Sequence, residues 1–412
     1  MTGRGRLLGA LGEPQFRLLW IGQTASAFGD TMIPVAIAFA VLGIGGTAIE
    51  LGYVFAAFTV AHVVLVLAGG VWADRLPRQQ VMIACDLVRT IVQVLLGILL
   101  ISGSAEVWHL VVVAAIVGGA GAFFVPAATG LIPQTVSPGR LQQANALMGL
   151  SRSGTGIFGP PVSGLLVVLI GPGAVFLVDA GTFVLSAASL ALLRVPARAT
   201  PLEPSHFMTD LRDGWREVTS RRWLLTSICT FAVTNMASAL FIILGPVVAE
   251  AELGGAASWG LILTGGAMGG VVGGLAAIRI RPQRPLLVGF LVSCAMAGPL
   301  LALSVPLPLP LITLAAFISW ATIQLANTWW YTLLQEHIPE QARSRVSSYD
   351  WLVSLVFQPA GYMLAGPLSV AVGLTPALLG AAGLLVGANL AVLTVRDVRE
   401  VRWVEEAAPA GD

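Results

Sequence analysis

The chain contains no lysine, and all 22 of its basic residues are arginine. Charged residues of either sign make up only 10% of the 412 residues, whereas 56% are hydrophobic. The mean hydropathy is +0.86. So little charge cannot cover the surface of a water-soluble domain, and a net charge of +1 gives no attraction for nucleic acid. The sequence therefore indicates a protein whose solvent is lipid.

Residues suited to metal ions, disulfides and phosphate-binding loops are also scarce. The cysteines Cys85, Cys229 and Cys294 are odd in number and have no C-x-x-C spacing, which excludes a disulfide framework or a cysteine metal site and predicts small core residues. The four histidines are scattered. The glycine runs at Gly118 and Gly265 lack the lysine that a phosphate-binding loop requires. With no nucleophile triad apparent, we expect neither an enzyme nor a protein with a cofactor or metal.

Apolar runs of about 18 to 25 residues, the length that crosses a bilayer, recur along the whole chain. They predict an all-α membrane protein with twelve transmembrane helices in two pseudo-symmetric six-helix bundles. The first run is too long for the core of a cleaved signal peptide, and comparable runs follow it. The predicted spans are 16–42, 51–70, 81–101, 107–127, 145–170, 174–193, 224–248, 258–278, 286–304, 311–334, 346–369 and 376–395.

Arginine lies on one side of these spans. Every arginine except Arg89 and Arg152 falls in or beside alternate loops, and the opposite loops carry only acids such as Glu106 and Glu252. The bias of basic residues toward the cytoplasm then places both termini inside a bacterial inner membrane. An even number of spans is needed to keep this alternation.

The longest connection between spans falls at the middle of the chain. It predicts a bundle over 1–194, a cytoplasmic linker over 195–223 and a second bundle with a short tail over 224–412. The polar stretch Asp210–Arg222 in this linker is expected to form a helix on the membrane surface. Weak repetition at an offset of about 200 residues supports a duplication, although coincidence in a glycine-rich chain is the alternative.

The loop after the second span reads GGVWADRLPRQQV over 69–81. Four of its residues fit the pattern G-x-x-x-D-R-x-x-R, and they are Gly70, Asp74, Arg75 and Arg78. Through them the chain resembles the major facilitator superfamily. The resemblance implies that Asp74 and the arginines latch the two halves on the cytoplasmic side in the outward-open state. The alternative is a basic turn that only sets topology.

A second resemblance lies in the fifth span, where Gly159, Pro160, Ser163 and Gly164 match the G-P-x-x-G-G element of exporters except at Ser163. Small residues and proline suit a helix that bends during gating, although both are common in membrane helices. Stretches at 26–30, 140–152, 171–183 and 344–368 resemble the macrolide-efflux and enterobactin-export branch. This resemblance implies proton-driven export of a drug-like small molecule. The alternatives are an importer or facilitator of a nutrient or lipid and, outside transport, a membrane scaffold or sensor.

Ionisable residues inside the membrane are expensive and therefore indicate function. Asp30 lies about 18 Å into the first span and is the only carboxylate predicted near the midplane, so it is expected to carry the coupled proton or meet the substrate. Its alternative role is structural, as a partner of Arg152 or in helix contacts. Arg152, in the inner half of the fifth span, is itself a candidate for coupling or substrate contact. His62 is the rival proton carrier, or else a hydrogen-bonded structural histidine. Asp86 and Arg89 are expected to form an i, i+3 pair that braces the cytoplasmic gate together with Asp350.

Other polar or aromatic side chains within the spans are candidates for the wall of a transport cavity, and they are Gln23, Asn235, Trp320, Gln324 and Asn327. Trp329 and Trp330 are either cavity residues or interfacial anchors. The expected partners are a small-molecule substrate, protons and the lipid bilayer, with the protein acting as a monomer.

Overall fold

The computed structural model describes residues 9–194 and 207–404, without the side chains of 67–75, 207–211, 213, 214, 341 and 344. The helices are α1 (Pro14–Gly43), α2 (Ala48–Arg75), α3 (Arg78–Ile101), α4 (Val107–Thr135), α5 (Leu141–Ile170), α6 (Pro172–Ala191), α7 (Phe207–Ser220), α8 (Arg222–Glu252), α9 (Ala256–Ala277), α10 (Pro285–Ser293), α11 (Ala297–Ser304), α12 (Leu309–His337), α13 (Glu340–Val356), α14 (Gln358–Val372), α15 (Leu374–Ala391) and α16 (Arg396–Glu400). Short 3-10 turns complete the regular structure of the described residues.

Twelve spans of the described chain are long and apolar enough to cross a membrane, which confirms the all-α prediction and the number of spans. The helix ends differ from prediction most at α4, which continues to Thr135 although its span was predicted to end at 127. Pro126 and Pro133 lie inside this helix without stopping it. Membrane helices tolerate such prolines because neighbouring helices satisfy the freed backbone groups.

Two of the spans are interrupted. In the ninth, a 3-10 turn at Cys294–Met296 separates α10 from α11, and in the eleventh, α13 ends before Phe357 and α14 begins at Gln358. Breaks of this kind often mark functional positions, because the backbone there leaves regular α geometry. The first of these breaks lies beside a cavity described below.

The predicted linker helix is present as α7, and its Trp215 packs against Tyr349 of α13 with 5.5 Å between ring centroids. Residues 195–206 of the predicted linker lie outside the described part of the chain. The position of α7 on the membrane surface stays a prediction.

The chain divides into two compact units. The first gathers α1–α6 with residues 242–264 and 362–367, and the second gathers 204–241, 265–361 and the chain from 368 onward. The first has a buried core that includes Phe16, Met82 and Leu131, and the second a core around Trp223 and Phe290. The division into bundles at 1–194 and 224–412 stays a prediction.

The cysteines do not all behave as core residues. Cys85 is buried, as expected, and Cys294 is half-buried, but Cys229 is exposed. The core prediction is wrong for Cys229 because in a membrane protein an apolar run has a lipid-facing side, which hydrophobicity alone does not distinguish from the core.

Candidate functional site

A stripe of small residues brings α1 against α6 in the first unit. A Cβ atom at Gly22 would lie 2.9 Å from that of Ser189, and one at Gly29 would overlap the carboxylate of Asp179. Ser26, between these glycines, is buried. Small residues at such spacing let membrane helices approach closely. This contact places Asp30, the neighbour of Gly29, near α6.

Asp179 is fully buried at this contact. Its Oδ2 accepts a 2.7 Å hydrogen bond from Nε2 of Gln93 in α3, and Oγ1 of Thr182 lies 3.4 Å from its Oδ1. A carboxylate in such a place needs donors, because an unpaired buried charge is costly. The amide of Gln93 is the closest donor that the described residues provide.

Asp179 corrects the prediction that Asp30 is the only carboxylate in the middle of the membrane. Asp179, which the sequence analysis did not single out, lies about 10 Å from the start of α6 and beside Gly29 of α1. Asp30 itself lies about 24 Å from one end of α1 and about 20 Å from the other.

Asp86 and Arg89 of α3 are both buried but do not pair as predicted. Among the described residues neither carboxylate oxygen of Asp86 completes a hydrogen bond, although Ser186 of α6 is a polar neighbour. The guanidinium of Arg89 instead lies 4.7 Å from the ring centroid of Phe124 and 5.3 Å from that of Phe183. Two aromatic faces thus hold the arginine, a favourable arrangement for a cation in a desolvated place.

His62 of α2 approaches the same arginine. Its Nδ1 lies 3.1 Å from the carbonyl oxygen of Gly118, and its ring stacks on Phe58. A Cβ atom at Gly121 would be 3.2 Å from Nη2 of Arg89 and 3.3 Å from Nδ1 of His62. Gly121 of α4 therefore leaves room for both side chains at one place in the bundle.

The side chain of Asp30 has exposed surface although protein atoms surround it, whereas Asp86 and Asp179 are buried. It interacts electrostatically with Arg89, Asp86 and Asp179. Arg152 is also exposed, and no ion pair joins it to Asp30, so the alternative that these two form a pair is not supported. We call the group Asp30, Asp86, Arg89 and Asp179 the charge cluster.

The predicted exporter element of α5 lies between α1 and α9 within the first unit. Oγ of Ser163 donates a 2.7 Å hydrogen bond to the carbonyl oxygen of Met32, and a Cβ at Gly159 would overlap Thr31. On the other side, a Cβ at Gly164 would lie 2.5 Å from the carbonyl oxygen of Ala256. A Cβ atom at Gly260 would lie 2.5 Å from the carbonyl oxygen of Pro160. The element therefore allows close backbone contact with two helices.

The predicted latch is only partly described. The side chains of Gly70, Asp74 and Arg75 lie outside the described part of the structure, although α2 extends to Arg75. Arg78 at the start of α3 donates to the carbonyl oxygen of Gly130 in α4. The role of these residues as a latch stays a prediction.

The remaining candidates lie mostly in the second unit. Asn235, Asn327 and Asp350 line a cavity of about 250 Å³ among α8, α10, α12, α13 and α15. Trp320 packs edge-on against Phe241, and Gln324 is exposed on α12. In the first unit, Gln23 has a buried Nε2 without a partner among the described residues.

Trp329 and Trp330 are both 3% exposed, so neither is an interfacial anchor. Nε1 of Trp329 donates to the carbonyl oxygen of Ile280, and Nε1 of Trp330 donates to Oδ2 of Asp350. Asp350 therefore accepts a hydrogen bond from Trp330 inside the second unit. The role of Asp350 in the cytoplasmic gate stays a prediction.

The twelve candidate spans of the described chain and the charged residues among them are typical of a polytopic membrane transporter. A model of the Major Facilitator Superfamily matches residues 19–354, and the chain belongs to this family. The chain is 26% identical to the multidrug efflux pump Tap of Mycolicibacterium fortuitum over 377 residues, which cover 88% of this chain and 90% of Tap. It is also 26% identical to the macrolide efflux protein A of Streptococcus pyogenes over 203 residues, 48% of this chain and 50% of that protein.

Solved structures show the same fold at low sequence identity. A bacterial homolog of the human lysosomal transporter Spinster, in an inward-facing and unoccupied conformation, superposes with a TM-score of 0.73 at 18% identity. The match covers 96% of this chain and 98% of that one. The multi-pass topology in a bacterial inner membrane follows from the spans and these relatives.

Proposed function

We propose that this transporter exports a drug-like organic molecule in exchange for protons, by alternating access of its two halves. The direction of transport is supported by relatives with 26% identity that are named as efflux proteins. Movement between states is supported by the glycine-proline element of α5, which packs closely against α1 and α9. A helix contact made of small residues can roll without side chains blocking it.

The charge cluster carries the proposal of proton coupling. Three carboxylates, two of them buried, interact electrostatically with one arginine, so full ionisation would leave an excess negative charge among the membrane-spanning helices. Binding of protons removes this excess. A site that gains and loses protons as it changes access couples a proton gradient to the equilibrium between conformations.

Asp30 is the member of the cluster that we propose exchanges protons with water or meets a cationic substrate. It is exposed, whereas Asp86 and Asp179 are buried. Because Gly29 is in contact with Asp179, a shift of α1 along α6 would alter the spacing of the two carboxylates. His62 remains the rival carrier because it approaches Arg89 from α2. We assign Arg152, which is not paired with Asp30, to substrate contact.

At the cytoplasmic side we propose that Gly70, Asp74, Arg75 and Arg78 act as the latch between states. The hydrogen bond from Arg78 to Gly130 ties the start of α3 to α4 and would hold one part of the latch within the first unit. The charged side chains of this loop would then form and break contacts as the two halves move.

The test is transport in inverted membrane vesicles with an imposed pH gradient, using a macrolide and ethidium as probes. The wild-type protein should accumulate a probe in an uncoupler-sensitive way. Asp30→Asn should abolish uphill transport while keeping downhill exchange, and Asp30→Glu should keep part of the uphill activity. His62→Ala is the matched comparison for the rival carrier.

Two results would contradict the proposal. If Asp30→Asn still drives uphill, pH-dependent export and His62→Ala does not, the carrier is His62. If accumulation by the wild-type protein survives the uncoupler, or if the probes only equilibrate, the protein is not a proton antiporter for them.

A further inference from the structure

The cavity of the second unit combines aromatic walls with one buried acid. Asp350 is 5% exposed, and the lining includes the rings of Phe231, Phe290, Trp330 and Tyr331. None of the lining residues is cationic. The cavity has a volume of about 250 Å³, just below the range of drug-sized sites and large enough for a small organic molecule.

The contacts of Asp350 fix its carboxylate without neutralising it. Oδ2 accepts a 3.0 Å hydrogen bond from Nε1 of Trp330, and Oγ of Ser354 lies 3.5 Å from Oδ1. Both donors are neutral, and no arginine among the described residues lies within ion-pair distance. A carboxylate that is removed from water and lacks a counter-charge is costly to keep ionised. A cation bound in the cavity would supply that charge.

The other polar groups of the wall leave acceptors for such a ligand. Nδ2 of Asn235 donates to the carbonyl oxygen of Ser354 at 2.9 Å, and Nδ2 of Asn389 donates to that of Leu385 at 2.8 Å. Because the amide nitrogens make these bonds, the amide oxygens are the atoms that remain for a ligand. Among the lining rings, Phe231 packs against Phe290 and Trp330, whereas Tyr331 is exposed and can present its ring face to a cation.

We propose that this cavity binds a small organic cation, a quaternary or protonated amine with an apolar or aromatic body, and that Asp350 is its counter-ion. The site lies wholly within the second unit, whereas the charge cluster lies in the first. The proposal is therefore independent of the coupling mechanism and of the direction of transport.

A pair of ligands with the same shape tests the proposal on the full-length protein in lipid nanodiscs. The probes are 4-hydroxyphenyltrimethylammonium and its uncharged isostere 4-tert-butylphenol, with dissociation constants measured by isothermal titration calorimetry. The wild-type protein should bind the cation at least tenfold more tightly than the phenol. Asp350→Asn should weaken binding of the cation by tenfold or more and leave binding of the phenol unchanged.

Two further variants keep the test decisive. Asp397→Asn removes an exposed carboxylate of α16 outside the cavity and should change neither affinity. Asn327→Lys places an ammonium group in the cavity wall while Asp350 is retained, and should abolish binding of the cation. This variant gives an answer even if Asp350→Asn does not fold.

The proposal is overturned if the wild-type protein does not prefer the cation, or if the preference survives in both Asp350→Asn and Asn327→Lys. A lipid headgroup could supply the same amine chemistry, so the titration is repeated in nanodiscs of phosphatidylglycerol with and without phosphatidylethanolamine. Weaker probe binding with phosphatidylethanolamine identifies the lipid amine as an occupant of the site. Equal binding identifies a free cation.

Discussion

Gln93 donates a 2.7 Å hydrogen bond from its side-chain amide to Oδ2 of Asp179, and both side chains are buried. Gln93→Leu removes this donor and leaves the carboxylate with only its weaker contact to Thr182. We expect a loss of about 1–3 kcal/mol in stability, because a buried acceptor then lacks its partner. The change in stability is measured by thermal unfolding of the detergent-solubilised protein, with tryptophan fluorescence as the signal.

The control for this prediction is Gln80→Leu, an exposed position of the same helix. The double variant Gln93→Leu, Asp179→Leu should be more stable than the sum of the single changes implies, since it removes both partners. Strict additivity would show that the two groups do not interact.

Arg89 is the one cation of the charge cluster, so replacing it should alter how export depends on pH. Without its positive charge the carboxylates retain protons more readily, and proton release requires a more alkaline solution. Arg89→Gln should therefore move the pH of half-maximal export upward by about one unit. Initial rates of export in vesicles over a pH series give this midpoint.

Arg89→Lys preserves the charge and should leave the midpoint closer to the wild-type value, although lysine lacks the planar group that stacks on Phe124. The prediction fails if Arg89→Gln and the wild-type protein share one pH profile.

Gly29 permits the close contact between α1 and α6. In Gly29→Ala the added methyl group would overlap the carboxylate of Asp179 and the hydroxyl of Thr182. Overpacking of this kind costs about 1–3 kcal/mol, and we expect a lower melting temperature together with reduced export. Gly181→Ala in α6 is the matched control, since nothing lies within 4 Å of a Cβ there. Equal effects of the two substitutions would show that the contact is not specific.

Glu13 precedes α1 and joins it to the loop before α5. Its carboxylate accepts hydrogen bonds from the backbone nitrogen of Ser137 at 2.9 Å and from its hydroxyl at 2.7 Å, and Arg140 lies 3.3 Å away. The hydroxyl of Ser137, its backbone amide and Arg140 hold the pKa of Glu13 below its usual value.

A lowered pKa in the folded state means that ionised Glu13 contributes stability above its unfolded pKa, and that this contribution is lost as the pH falls through the folded pKa. Glu13→Gln should thus lower the melting temperature slightly at pH 7, by less than about 2 °C, and the difference between the two proteins should shrink as the pH is lowered below 4. Unfolding curves of both proteins over a pH series test this. A difference that stays constant over the series would contradict the electrostatic explanation.

Much of the fold could be predicted because each span is an apolar run of bilayer length. Helix ends could not, since α4 continues through Pro126 and Pro133 while α13 and α14 separate at Phe357. Whether a helix continues or breaks depends on which neighbouring helix provides partners for its free backbone hydrogen-bonding groups. The sequence of one helix does not contain that information.

The charge cluster was predicted in part. Asp30, Asp86 and Arg89 stand out as ionisable residues in apolar runs, but their partners depend on how the helices pack. The spacing of Gly22, Ser26 and Gly29 was a usable signal, since a row of small residues indicates the face of α1 that approaches another helix. No comparable pattern indicated that Asp350 would face Trp330 inside the second unit.

The absence of lysine has a consequence at position 89. A lysine in so dry a place could give up its proton, whereas a guanidinium keeps its charge at every pH that a cell reaches. The positive charge between Phe124 and Phe183 is therefore constant. The sign of the total charge of the charge cluster is then decided by how many of its three acids, Asp30, Asp86 and Asp179, hold a proton.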